Sequence, residues 1–218
     1  MATAYFSWAE QTITDFSDDV INAAYDQGYL FRREAKGFMY QTRSVRIDLS
    51  KFEPSSENRR ILRKTEDLTM ETVALPYSEY HWSVGKLAKD FYDTKFGAGV
   101  FSANKVKELL TDAEKSNYNM LFRYGPVACG YAIARQTNEL IHYAYPFYDV
   151  ERSPNDMGMG MMVRAVLYAK EQNKKYIYLG SAQRPGDTYK LQFQGVEWFD
   201  GKKWHHDTIE LKQLLQTT

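Results

Sequence analysis

"ELIHYAYPFYDVERSPNDMGMGMM", residues 139–162, changes rhythm twice. Glu139 to Asp149 is an apolar, aromatic run of strand character. A polar turn follows, and from about Met157 to Gln172 the pattern is helical, opened by Gly158 and Gly160. Upstream lie two more strand-like runs, "YNMLFRYG" (118–125) and "PVACGYAIAR" (126–135). Gly125-Pro126 marks the first junction and Gln136-Thr137-Asn138 the second. Downstream comes the apolar strand "KYIYLG" (175–180), then a short helix near Tyr189 to Phe193. "VEWFDGKKWHHD" (196–207) closes the series, where Asp200-Gly201 suits a two-residue hairpin turn.

The first half reads less regularly. Asp18 to Gly28 is a short helix ending at a glycine, and "VRIDLSKF" (45–52) alternates as a half-buried strand does. Pro54 opens a helix with Ser55, Ser56 and Glu57 in its first turn. "DLTMETVAL" (67–75) is strand-like, and Tyr77 to Phe96 and Ser102 to Ser116 are helical. The expected division is an N-terminal extension, residues 1–65, packed on a main domain, residues 66–218.

The 218 residues carry 28 basic and 28 acidic side chains, so net charge gives no sign of an acidic partner. The distribution does. From Arg32 to Lys64 ten cations face four anions, a segregation that creates a local field. At helical spacing Arg59, Arg60, Arg63 and Lys64 share one arc, with Ile61 and Leu62 away from it. That arc is either a solvated basic face or a surface for nucleic-acid phosphates. Cys129 is the only cysteine, so no internal disulfide forms, and its apolar setting reads as an inert core thiol. No segment has the pattern of a secretory leader or is apolar enough to cross a bilayer, so a cytoplasmic location is expected.

Gly158 and Gly160 bare backbone amides at a helix start, where the dipole favours an anion. The alternative is a tight strand-to-helix junction. Asp156 opposes a strongly bound phosphate there and suits a helix cap instead. Tyr148 and Asp149, at the end of the preceding strand, are the candidates for proton handling. Their structural alternatives are a core aromatic and a turn former. His205 and His206 are adjacent in a strand and point to opposite faces, a poor metal pair.

The order strand, two helices, three antiparallel strands, helix, strand, short helix and hairpin is the layout of the GNAT acyltransferase fold. That is an α/β (α+β) fold with a mixed, mostly antiparallel sheet and helices on both faces. "VRIDLSKFEPSSENRRILRKTEDL" (45–68) further resembles a segment of arginyl- and leucyl-tRNA–protein transferases. Val45, Arg46, Phe52, Pro54, Ser55, Arg59, Arg60, Asp67 and Leu68 fall on that pattern. The run "FYD" (147–149), Gly158, "YIYLG", "YKLQF" (189–193) and "DGKKW" (200–204) match further family motifs in order. The family's cysteine cluster before "VRI" is absent, "SAQRPGDT" (181–188) is shorter than its counterpart, and Gly195 replaces a proline.

The resemblance implies an aminoacyltransferase with aminoacyl-tRNA as co-substrate; the missing cysteine cluster and the already activated ester lead us to expect no resident cofactor or metal. It would carry arginine or leucine to a protein's N-terminal amine, typically Asp or Glu, marking that protein for degradation. Under it, Arg46, Arg59, Arg60, Arg63 and Lys64 bind tRNA. Met157, Gly158, Met159 and Gly160 form the acyl-donor turn, and Tyr189 and Lys190 orient the acceptor. Two alternatives remain: a GNAT enzyme using acetyl-coenzyme A, and an inactive adaptor that binds tRNA or N-terminal peptides.

Overall fold

The structure, a computed structural model, describes residues 6–125, 130–153 and 155–216. Pro126 and Cys129, with their expected junction and core thiol, lie outside the described residues. Contacts divide the chain into two compact units. One takes residues through Ser55, Thr137–His142 and Ala169 onward, and the other takes Ser56–Gln136 and Tyr143–Tyr168. This division does not coincide with the expected boundary at residue 65. The reason is in the pairing: the strand Ser44–Asp48 is hydrogen-bonded on both sides to strands from the chain's last third.

The first unit begins with β1 (Ala9–Thr12), α1 (Asp18–Asp26), β2 (Tyr29–Phe31), β3 (Phe38–Gln41) and β4 (Ser44–Asp48). β1, β3 and β2 form a small antiparallel sheet in that order, which the sequence reading missed. Gly28 ends α1 in the left-handed conformation, φ 77°, and a Cβ there would lie 2.2 Å from the Phe199 ring. Only glycine fits that close approach.

β9 (Tyr176–Ser181), β10 (Val196–Phe199) and β11 (Trp204–His205) return to this unit, with a 3-10 helix at Pro185–Gln192 and α6 at Ile209–Gln216. β4 runs antiparallel to both β9 and β10, and β10 to β11. The first residues of β8 (Leu140–Tyr148) run parallel to β9, from Leu140 opposite Tyr176 to His142 opposite Tyr178. β4 is buried on both faces: Val45 and Ile47 lie in the core, and on the other face the Tyr176 and Trp204 rings cover Arg46. Trp198, Val45, Leu191, Leu211 and Leu215 share one core cluster. Between β10 and β11 the loop is Asp200–Lys203 and not the two-residue turn expected. The Asp200 carboxylate accepts the amides of Lys202 (2.7 Å) and Lys203 (2.8 Å), which stabilises the wider turn.

The second unit holds α2 (Ser56–Lys64), β5 (Met70–Ala74), α3 (Trp82–Phe96), α4 (Ala103–Thr111), β6 (Met120–Tyr124) and β7 (Gly130–Gln136). The later part of β8 and most of α5 (Met157–Glu171) complete it. β5 with β6 and β6 with β7 are antiparallel. Small residues in β7, Ala132 and Ala134, are fully buried, as are Leu121 and Phe122 of β6. The helix expected from Tyr77 starts at Trp82, where the His81 ring nitrogen accepts the Ser83 amide. α4 starts at a Ser102 cap, whose hydroxyl accepts the Lys105 amide at 3.2 Å. From β5 onward the element order is the one expected, with α6 added at the end. No helix among the described residues is long and apolar enough to cross a membrane.

Candidate active site

In the second unit, the basic helix α2 is pinned against the start of α5. Thr65, just past α2, is buried and returns its hydroxyl to the Ile61 carbonyl at 2.9 Å. Arg164, two turns into α5, donates from Nη1 to the Thr65 hydroxyl at 2.8 Å and from Nη2 to the Thr65 carbonyl. A cation is favoured at that spot because the last carbonyls of α2 are otherwise unsatisfied and its dipole is negative there. Gly160 allows the approach: a Cβ on it would sit 2.7 Å from Thr65 Oγ1 and 2.9 Å from Thr65 Cγ2. Gly160→Ala is therefore expected to destabilise the fold by about 1–3 kcal/mol through overpacking, read as a lower urea midpoint at unchanged m-value.

The cations of α2 meet the residue that precedes α5. The Asp156 Oδ2 lies 3.4 Å from Lys64 Nζ and 3.6 Å from Arg60 Nη1. Its carboxylate is thus turned to α2, in place of the helix-capping role expected. Arg60 also forks onto Glu57, a contact that first of all raises its pKa, with burial opposing and the Glu57 and Asp156 charges adding. Arg59 and Arg63 are exposed on the same helix. α2 begins at Ser56, two residues later than Pro54.

Tyr148 ends β8 with its ring packed on Phe91, centroids 4.9 Å apart. Its hydroxyl oxygen stands 3.3 Å from where a Cβ on Gly158 would be, so the phenol lies over the first turn of α5. Among the described residues, the Met157 and Gly158 amides have no hydrogen-bond acceptor. A phenol beside two helix-start amides can hold a carbonyl oxygen that gains negative charge. Tyr145, on the same strand, meets the Phe101 and Tyr118 rings edge-on.

Two of the expected residues change role here. The Asp149 Oδ1 accepts the amides of Glu151 (3.1 Å) and Arg152 (3.0 Å), so this carboxylate forms the turn, the structural alternative weighed for it. The Gly160 amide donates to the Asp156 carbonyl at 2.7 Å, so this glycine packs helices and offers no amide to a ligand. Met159 remains on the first turn of α5, half-buried.

In the first unit the correction is larger. Arg46, expected on an RNA surface, is 6% exposed. Its Nε donates to Glu197 at 2.7 Å, and its Nη1 donates to Asp26 at 2.8 Å and to the Tyr178 hydroxyl at 3.1 Å. The guanidinium is sandwiched 3.8 Å from both the Tyr176 and Trp204 rings. Burial opposes its charge, yet Tyr178 and then Glu197 outweigh that and raise its pKa. Arg46 is a structural cation.

Lys190 is also buried, donating to the Ser181 carbonyl at 2.6 Å and lying 3.3 Å from Asp187. It braces the 3-10 helix, and of the expected acceptor-orienting pair only Tyr189 is exposed. His205 and His206 serve different acids, Asp200 and Glu197. Among the described residues no three His, Cys, Asp or Glu side chains group as metal ligands. The residues missed from sequence are Thr65 and Arg164. Their only signal was Arg164 lying four positions after Gly160 on one helix face.

The chain is similar to curated proteins named aspartate/glutamate leucyltransferase. The one from Saccharophagus degradans is 23% identical over 168 residues, 73% of this chain and 69% of the relative. That from Stenotrophomonas maltophilia is 22% identical over 183 residues, 77% of this chain and 70% of the relative. No protein-family model matches. Among solved structures, the crystal structure of FemX has a TM-score of 0.51 at 11% identity, covering 91% of this chain and 71% of its own. The fold is thus a mixed α/β, GNAT-like acyltransferase fold, and the chain's sequence is similar to that of aminoacyl-tRNA–protein transferases, the likeness its motifs led us to expect.

Proposed function

We propose that this aminoacyltransferase moves an aminoacyl group, leucine before arginine, from aminoacyl-tRNA to the N-terminal amine of a cytoplasmic protein that begins with Asp or Glu. The choice of leucine and of acidic acceptors is supported by the names of its relatives. The observation that carries the reading is the joint of α2 and α5: cations fit for phosphates, held beside helix-start amides that lack an acceptor among the described residues, with a phenol over them.

The chemistry asks little of the protein. An aminoacyl ester is already activated, and an N-terminal amine has a pKa of about 7.7–8.0. The amine nitrogen attacks the ester carbonyl, a C–N bond forms, and the C–O bond to the ribose breaks. The departing ribose oxygen takes up a proton as the nitrogen loses one. Tyr148 and the amides of Met157 and Gly158 suit the carbonyl oxygen while it carries charge, and the rest is positioning. No covalent intermediate on the enzyme is needed.

The test offers labelled leucyl- and arginyl-tRNA with peptides that differ only in their first residue. Label in Asp- and Glu-starting peptides is the expected result, and no transfer with any pairing would reject the reading. A second prediction concerns Asp156, which neutralises two of the α2 cations. Asp156→Asn keeps a residue tolerant of its left-handed backbone, φ 74°, while freeing Lys64 and leaving Arg60 with Glu57 alone. It is expected to tighten tRNA binding by about threefold to tenfold and to steepen its salt dependence. Unchanged affinity in a filter-binding titration would separate these cations from the RNA.

A further inference from the structure

The first unit leaves two aromatic rings open at its surface. Phe6 and Trp8 are 38% and 40% exposed, and they meet edge to face, centroids 4.9 Å apart and planes at 83°. Both are held from behind. The Gln183 side chain clamps the Phe6 backbone, accepting its amide at 3.0 Å and donating to its carbonyl at 3.3 Å. The Thr42 hydroxyl donates to the same carbonyl at 2.7 Å, and the Trp8 amide donates to the Gln41 carbonyl at 2.9 Å. Trp8 rests on the loop between β10 and β11. A Cβ on Gly201 would stand 2.9, 3.1 and 3.2 Å from the indole carbons Cε2, Cδ2 and Cζ2. Such even distances to three fused carbons set the glycine against a face of the ring and not its edge. Rings fixed in this way have already lost much of the freedom that binding would otherwise have to freeze.

The same loop supplies charge. Lys202 and Lys203, next to Gly201 in the chain, are exposed and have no acid within ion-pair distance among the described residues. The loop's own acid, Asp200, is occupied by their two amides and by His205. Beside Phe6, the Arg43 guanidinium rests 4.7 Å from the ring centre. Fixed rings next to unneutralised lysines suit unpaired nucleotides, whose bases stack on the rings while their phosphates meet the cations. A duplex keeps its base faces stacked inside and offers the rings nothing. An apolar partner would bury two lysines without counter-charges, which is costly, and lysine is depleted from such interfaces. An acidic peptide would satisfy the lysines and leave the rings without a stacking partner. Helix α2 differs, being rich in cations with no aromatic residue, which suits a phosphate backbone.

We infer that this face of the first unit binds unpaired bases of RNA, Trp8 by stacking and Lys202 and Lys203 through the neighbouring phosphates. The inference goes beyond the function proposed above, because the transfer chemistry makes no use of this surface.

The test titrates the full chain into two labelled RNAs, a single strand of about ten adenosines and a blunt duplex of the same length. Trp8→Ala is expected to weaken the single strand at least about fivefold and to leave the duplex within about twofold. Trp8→Phe, which keeps a ring, falls between. Base stacking is also expected to quench tryptophan emission in wild type, and Trp8→Phe removes that quench. Lys202→Gln with Lys203→Gln lowers the salt slope for the single strand by about 1.4, as two phosphate contacts are lost.

Unchanged single-strand affinity in Trp8→Ala overturns the inference, as does an equal loss for strand and duplex. A quench that persists in Trp8→Phe does the same, since the base then lies on another tryptophan. Single-strand binding that falls with Arg60→Glu and Arg63→Glu but not with Trp8→Ala would assign the RNA to α2. A tagged peptide starting with Asp is titrated in parallel, and loss of peptide but not RNA in Trp8→Ala would make the face a peptide site. A wild type that transfers no amino acid rejects the transferase reading and leaves this result standing, because the titrations read RNA alone. Trp8 also packs on Phe199, centroids 6.2 Å apart, so thermal melts accompany each variant. If Trp8→Ala unfolds, Trp8→Phe and the lysine pair decide.

Discussion

Protein carrying Arg60→Glu and Arg63→Glu together is expected to bind tRNA at least about a hundredfold more weakly than the parent, since each lost charge-assisted contact is worth about 1.5–3 kcal/mol. The slope of log affinity against log salt is expected to shrink by between about one and two units, as two fewer phosphates are neutralised. The effect is large because α2 is not a freely adjustable surface. It is fixed by the Arg164–Thr65 contacts and by the bare face of Gly160, so its cations occupy set positions.

The same substitutions cost little stability. Both side chains are more than a third exposed, and exposed ion pairs contribute about 0–1 kcal/mol. A glutamate in the last turn of α2 adds an unfavourable dipole contact of about 0.3–1 kcal/mol. The control is Lys86→Glu with Lys89→Glu on α3, an identical change in net charge on exposed side chains. Equal weakening by the control would assign the effect to overall charge. A loss below threefold in the α2 variant would remove α2 from the RNA surface.

The elements that sequence revealed are those whose signal is local. β6, β7 and β8 are runs of five to nine residues with buried faces, set off by a glycine and a polar turn. α5 declares itself by length and by the glycines at its start. β1, β2 and β3 are three or four residues each, too short for an alternation to rise above chance, and they exist through pairing across intervening loops. α6 buries only Leu211 and Leu215, a stripe too brief to stand out.

At the site the glycines were legible but not their uses. Gly158 faces a phenol ten residues away, whereas Gly160 faces Thr65, nearly a hundred residues earlier. Nothing in either sequence neighbourhood distinguishes a glycine that opens space for a ligand from one that opens it for a helix. Arg46 misled for a related reason. Alternation in "VRIDL" puts it opposite Val45 and Ile47 and so toward solvent, but the Tyr176 and Trp204 rings cover that face. A buried arginine is tolerable only with a carboxylate partner, and Glu197 arrives from 151 positions away.

That burial makes Arg46→Met the substitution with the largest expected cost to stability. Arg46 and Glu197 side chains are 7% and 6% exposed, and removing one member of a buried pair costs about 3–5 kcal/mol because the other charge stays behind unpaired. Lys51 and His206, 3.8 and 3.3 Å from Glu197, offset part of this, though both are more than half exposed. The lost sandwich between Tyr176 and Trp204 adds to the cost, a desolvated cation–π contact being worth about 2 kcal/mol. Against a usual total of about 5–15 kcal/mol, the variant is expected to be marginal at 37 °C and folded in the cold. Urea unfolding at low temperature measures the deficit. Adding Glu197→Gln removes the stranded charge and is expected to restore about 1–2 kcal/mol, a coupling that a mere packing defect would not produce. Because the guanidinium never reaches solvent, folded Arg46→Met is expected to bind tRNA as the parent does. A loss under about 1 kcal/mol would mean that water already shares the site, and weakened tRNA binding in the folded variant would return Arg46 to the tRNA-binding role that the family resemblance implies.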